Sequence, residues 1–168
     1  MRLLVLGIGH ELRGDDGAGP QAVRRWQQQH PAISQDPIID ILLMETPGLE
    51  LLDYLEGADA AVLVDAVTSG KPPGTVQVFD PFPESRPIAG EKTAHGFGIA
   101  ESIALARTAG KRLPDVLILI GIEVSQVALG SNLSEPVRRA MPQAVQAIQR
   151  AVESAISAGS VPSAQTGC

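Results

Sequence analysis

The chain carries one cysteine in 168 residues, and it is the final one, Cys168. That excludes an internal disulfide and a cysteine-rich zinc site, and leaves no cysteine placed for nucleophilic catalysis. So sparing a use of thiols fits a reducing compartment, and the cytoplasm is the expected location. Aromatic residues are also scarce, with one Trp, one Tyr and three Phe. Ala, Val, Leu and Ile must therefore fill the core, as they do where helices pack closely on a sheet. Positive charge is the minority sign: 13 Lys and Arg against 19 Asp and Glu leave a net charge of −6. With no clustered basic face, neither nucleic acid nor an anionic membrane is an expected partner. No apolar run is long enough to span a bilayer. The first one ends at Gly7, too early for a signal peptide. Two hydrolase signatures are missing as well. There is no Gly-x-Ser-x-Gly elbow, and His10-Glu11 is followed by Leu12-Arg13-Gly14 rather than by the second histidine of a zinc-protease helix.

What the chain does have is a long glycine loop. Gly7-Ile8-Gly9-His10-Glu11-Leu12-Arg13-Gly14-Asp15-Asp16-Gly17-Ala18-Gly19 holds five glycines in thirteen residues. It lies between an apolar run at 2–6, read as a buried strand, and a helix in which Val23 and Trp26 share a face. A dinucleotide fingerprint would need a third glycine where Leu12 stands. The acidic pair Asp15-Asp16 opposes a phosphate at the helix start and favours a cation. Capping of the helix by an Asp is the structural alternative, and it accounts for one of the two at most.

Further along, His30-Pro31 ends the helical pattern, and His30 is expected in solvent. Residues 37–43 read as a second strand. Thr46-Pro47-Gly48 leads into a short helix with Leu49, Leu52 and Leu55 on one face. Ala60-Ala61-Val62-Leu63-Val64 is a strand buried on both faces that delivers Asp65 at its end. After the turn at 70–74, residues 75–79 alternate as a fourth strand, antiparallel at an edge given the short connection. The proline-broken segment 80–90 reads as an ordered, irregular surface loop. His95-Gly96-Phe97-Gly98 precedes a helix in which Ile99 and Ile103 share a face, and 116–120 is a fifth strand. A long helix starts near Ser134 as N-cap. Its stripe of Val137, Met141, Val145, Ile148, Val152 and Ile156 advances by four, four, three, four and four residues, with Pro142 expected to kink or restart it. Residues 1–156 form the expected single α/β domain, and the small, polar tail from 157 to 168 is expected to be disordered.

Strands alternating with helices give a mostly parallel sheet with helices on both faces, and such sheets bind ligands beyond the carboxyl ends of their strands. Asp16 follows strand one, Asp65 ends strand three and His95 precedes a helix, so the topology can bring the three to one edge. Two carboxylates and an imidazole suit nickel, zinc, manganese or ferrous iron, with positions left for water or a partner's groups. Each also has a structural alternative: a cap for Asp16, a buried hydrogen bond for Asp65 and a packed histidine for His95. The residues alone give a metal-binding α/β domain and no reaction.

The glycine loop closely resembles the opening motif of the hydrogenase maturation endopeptidases. So do Thr46-Pro47-Gly48, the strand end Val64-Asp65-Ala66, the turn Pro73-Gly74-Thr75 and His95-Gly96-Phe97-Gly98, in the family's order. The resemblance implies a three-layer α/β/α sandwich around a twisted, mostly parallel five-stranded sheet. It implies a cytoplasmic endopeptidase that removes the C-terminal extension of a nickel-iron hydrogenase large-subunit precursor after nickel insertion. Nickel, supplied by the substrate, would meet Asp16, Asp65 and His95. No further catalytic residue is assigned: Asp15 can orient water or cap the helix. The family usually has Asn after the second glycine, where this chain has His10, which can hydrogen-bond the loop or add a fourth ligand. Two other classes are compatible with the same residues. One is a non-cleaving nickel-dependent chaperone of the large subunit, and the other a hydrolase of a different peptide.

Overall fold

The computed structural model describes residues 1–79, 92–93, 99–125, 130 and 132–159. Its elements alternate as the hydrophobic pattern predicts. They are β1 (Leu3–Ile8), α1 (Ala18–Gln29), α2 (Pro31–Ser34), β2 (Ile39–Met44), α3 (Leu49–Glu56), β3 (Ala60–Thr68), β4 (Val76–Phe79), β5 (Lys92–Thr93), α4 (Ile99–Thr108), β6 (Val116–Glu123) and α5 (Glu135–Gly159). The main sheet runs β2-β1-β3-β6-β4, and β5 adds a short pairing to β3. β2, β1, β3 and β6 are parallel, while β4 is antiparallel to β6. The antiparallel edge is thus present, but beside β6 rather than beside β3, to which the short turn connects it. β6 takes the place next to β3, with pairs from Ala60↔Val116 to Val67↔Glu123.

Strand alternation splits the core into the two outer interfaces of an α/β/α sandwich. On one face Leu3, Val5, Val62, Val64, Ile120 and Ile122 pack against α1 and α5. On the other, Leu4, Leu6, Ile8, Leu63 and Leu119 pack against α3 and α4. Within the α5 stripe, Val137, Met141, Val145, Ile148 and Val152 are buried, and Ile156 packs partly buried at its end. Trp26 Nε1 donates to Gln149 Oε1 at 2.8 Å, tying α1 to α5. His30 is half-buried rather than solvated, because its ring stacks on Trp26 with centroids 6.5 Å apart. α5 runs through Pro142 without a break and continues to Gly159, so residues 157–159 are helical. Pro142 and Arg138, the residue whose carbonyl would otherwise accept from position 142, are both exposed, so the proline lies on the face of α5 away from the sheet. The irregular segment 80–90, His95-Gly96-Phe97-Gly98 and residues 160–168 lie outside the described residues.

Candidate metal and active site

Gly14–Gly17 form one turn of 3-10 helix between β1 and α1. Neither Asp15 nor Asp16 caps α1: its N-cap is Gly17, and no side-chain hydrogen bond is made there. Asp16, 1% exposed, instead turns back on the loop, and its Oδ2 accepts the His10 backbone N–H at 3.0 Å. That reversal requires glycine at position 9, where φ is +136° and a Cβ would lie 1.9 Å from the Asp16 carbonyl oxygen. Close approach of α1 has a similar basis at Gly19, where a Cβ would meet the Val64 and Ile8 carbonyl oxygens at 2.4 and 2.5 Å.

Asp65 is not the end of its strand, since β3 continues to Thr68. It does lie at the end of the sheet's full width. β1 pairs with β3 only as far as Gly7↔Val64, while on the other side Asp65 stands in register with Gly121 of β6. Beyond Val64, the side of β3 left by β1 is taken further on by β5, through Val67↔Thr93 and Thr68↔Lys92. Asp65 is fully buried. Burial pushes its carboxyl well above the ordinary carboxylate range, a hydrogen bond from the Ala66 backbone N–H opposes the shift, and the negative charge of Asp16 adds to it. The charge of Asp16 thus disfavours ionisation of Asp65 in a desolvated place, and a cation bound beside Asp65 would reverse that preference.

His95 lies outside the described residues. The helix that follows it, α4, starts at Ile99, which is buried with Leu63 and Leu119 on the face of β3 that also carries Asp65. Among the described residues, no group of three His, Cys, Asp or Glu side chains is placed to hold a metal ion. His10 accordingly does not join Asp16 and Asp65 as a further ligand. Its ring serves the loop: Nδ1 accepts the Leu12 backbone N–H at 3.3 Å, and Nε2 stands 3.8 Å from Glu45 Oε2.

Asp15 is 2% exposed and committed elsewhere. Its Oδ1 accepts the Ser134 N–H at 2.6 Å and its Oδ2 the Ser134 hydroxyl at 2.7 Å. The Ser125 N–H and hydroxyl both lie 3.4 Å from Oδ2. A carboxylate so engaged is not placed to orient water. A fourth buried carboxylate, Glu123, escaped the sequence reading. It accepts the Ser69 N–H at 2.8 Å, the Ser69 hydroxyl at 2.7 Å and the Gly70 N–H at 3.0 Å, which fixes the turn after β3. Its signal was available: like Asp65, it is an acidic residue that follows a continuous apolar run in the sequence.

The model of the hydrogenase maturation protease family matches residues 33–151. This chain belongs to that family. The match includes Asp65 and His95 and begins after Asp16. Among curated relatives, this maturation protease is 34% identical to the hydrogenase expression/formation protein HupD of Bradyrhizobium diazoefficiens, over 82% of this chain and 70% of that one. It is 31% identical to the hydrogenase 2 maturation protease of Escherichia coli, over 73% of each chain. Among solved structures, the hydrogenase maturating endopeptidase HybD from E. coli superposes with a TM-score of 0.72 at 26% identity. That match covers 92% of this chain and 93% of that one. The protease is thus an α/β endopeptidase of hydrogenase maturation, with its sheet order and glycine loop as described above.

Proposed function

We propose that this protease removes the C-terminal extension of a nickel-iron hydrogenase large-subunit precursor once nickel has been inserted, and that it does so in the cytoplasm. The observation that carries the reading is the pair Asp16 and Asp65. Both carboxyls are buried, Asp65 just beyond the last β1–β3 pair, and the charge of Asp16 adds to the upward shift that burial gives Asp65, an arrangement that favours a cation with hard-to-borderline preferences. His95 would complete the set with a nitrogen donor. Nickel belongs to the precursor, and its free coordination positions are filled by Asp16, Asp65 and His95 on docking. A precursor without nickel then lacks the contact that seats it. Bound there, the ion would supply a Lewis acid for the scissile carbonyl or for water. The chain's own contribution is to hold Asp16 ready, through the His10 N–H on its Oδ2. Among the described residues no helix is long and apolar enough to cross a membrane.

The test is mass spectrometry of a large-subunit precursor incubated with the protease. Matched samples would hold nickel-loaded precursor, nickel-free precursor, and loaded precursor with the Asp16→Ala variant. Loss of a C-terminal peptide only in the loaded, wild-type sample is the expected result. An intact precursor that still co-purifies with the protein would point to the non-cleaving chaperone instead. Equal cutting of loaded and unloaded precursor would remove nickel from the reading.

A further inference from the structure

The acidic pair is divided by the turn that carries it. Consecutive side chains in the turn Gly14–Gly17 point apart: Asp16 acts on Asp65 of β3, while Asp15 reaches Ser125 and Ser134 at the two ends of the β6–α5 connection. That connection is also bound to the loop by backbone. The Gly14 N–H donates to the Gly130 carbonyl, and the Gly130 N–H donates to the Leu12 carbonyl at 3.1 Å. The glycine loop, rich in residues that cost conformational entropy to order, is thus fixed from a segment more than a hundred residues away in sequence. Charge-assisted bonds to a carboxylate are the strong members of such a set, and here the short ones come from Ser134.

We propose that Asp15 is a positioning residue: by accepting the N–H and hydroxyl of Ser134, with Ser125 beside them, it locks the turn that presents Asp16 to the cation site. The functional consequence rests on the metal reading given above, but the mechanical one does not. A carboxylate placed for nickel must be held to within a fraction of an ångström by its surroundings. In this protease the holding group is the neighbouring aspartate, anchored on the start of α5.

The experiment is amide hydrogen exchange by NMR on the full-length, metal-free protein. The reporter is the His10 N–H, which donates to Asp16 Oδ2, with Val23 and Trp26 of α1 as references. Ser134→Ala and Asp15→Asn should each speed His10 exchange about tenfold or more beyond any change at Val23 and Trp26. Ser134→Thr, which keeps the hydroxyl, should restore it. If His10 speeds up only in step with the two references, Asp15 is a stabilising clasp and the proposal fails. Should Asp15→Asn not fold, the alanine and threonine variants at 134 decide alone. The same samples are then titrated calorimetrically with Ni2+ alone, where Ser134→Ala should bind about tenfold more weakly than wild type. Unchanged affinity in Ser134→Ala would overturn the functional half. If the wild-type protein binds no free Ni2+ while His10 exchange responds as stated, the functional half is decided by cleavage of nickel-loaded precursor, where cutting by Ser134→Ala at the wild-type rate would overturn it.

Discussion

A residue's surroundings can decide its role against its type, and Asp15, Asp16 and Asp65 illustrate this. At the glycine loop the sequence offered two aspartates for a cap and a ligand. In the fold neither is a cap, because the chain reverses at Gly9 and α1 opens from Gly17. That reversal was not legible in composition, since five glycines permit many loop shapes and only long-range contacts choose one. Asp65 carries the clearest energetic consequence. Its carboxyl is raised by burial first, with Asp16 adding to the effect. Between the ordinary carboxylate pKa of about 4 and the raised folded value, the folded state therefore holds more protons than the unfolded chain. Stability of the metal-free protein should accordingly fall as pH rises through that window and level off above it. Asp65→Asn should remove the slope and stabilise the metal-free protein by roughly 1–2 kcal/mol near neutral pH, as functional sites often sacrifice stability. Urea unfolding at several pH values in chelator checks both statements. A wild-type curve that rises with pH over the same range would contradict them. Gly9→Ala has the opposite sign: a positive φ and a Cβ 1.9 Å from the Asp16 oxygen should cost about 3 kcal/mol or more, read as a lowered urea midpoint.

Elements were more legible than their ends. Period-two and continuous apolar runs placed β1, β2, β3, β4 and β6, and three- and four-residue steps placed α1, α3, α4 and α5, because burial selects residue type directly. Lengths were missed where pairing rather than hydrophobicity sets them. β3 reaches Val67 and β6 reaches Glu123 because each supplies the other's backbone partners, Thr68 pairs with Lys92 of β5, and Asp65 and Glu123 are the polar residues inside those extensions. The short α2 turn after Pro31 carried no periodic signal at all. Pro142 is the instructive exception. Its ring and missing N–H predict a break, yet the helix continues from Glu135 to Gly159. The stripe of Val137, Met141, Val145 and Ile148 holds the helix to the sheet on both sides of the proline. Pro142→Ala should therefore stabilise the protein, by about 1–2 kcal/mol, since a helix bond is regained while some chain stiffness in the unfolded state is lost. Thermal unfolding that moves downward in this variant would mean that the proline favours the native backbone.

For the whole molecule, the sheet separates stability from chemistry. The larger apolar cluster lies between the sheet and α1 and α5, whereas Asp65 stands on the opposite face of β3, at the end where β1 stops pairing. Alternation along β3 makes this division unavoidable: Val62 and Val64 point to one layer, Leu63 and Asp65 to the other. A defect in the first layer should thus lower stability without altering the site, provided that the protein remains folded. Ile148, fully buried in α5, is suited to the test. Ile148→Ala should lower the free energy of unfolding by about 2–5 kcal/mol, while cleavage of a loaded precursor, normalised to folded protein at low temperature, stays within about twofold of wild type. Asp16→Ala should behave in reverse, abolishing cleavage with a far smaller change in urea midpoint. Both variants belong in one experiment, because the argument concerns their difference. Loss of normalised cleavage in Ile148→Ala would show that packing of α5 reaches the site. The bonds from Ser134 to Asp15 at the start of the same helix are the route by which it would do so.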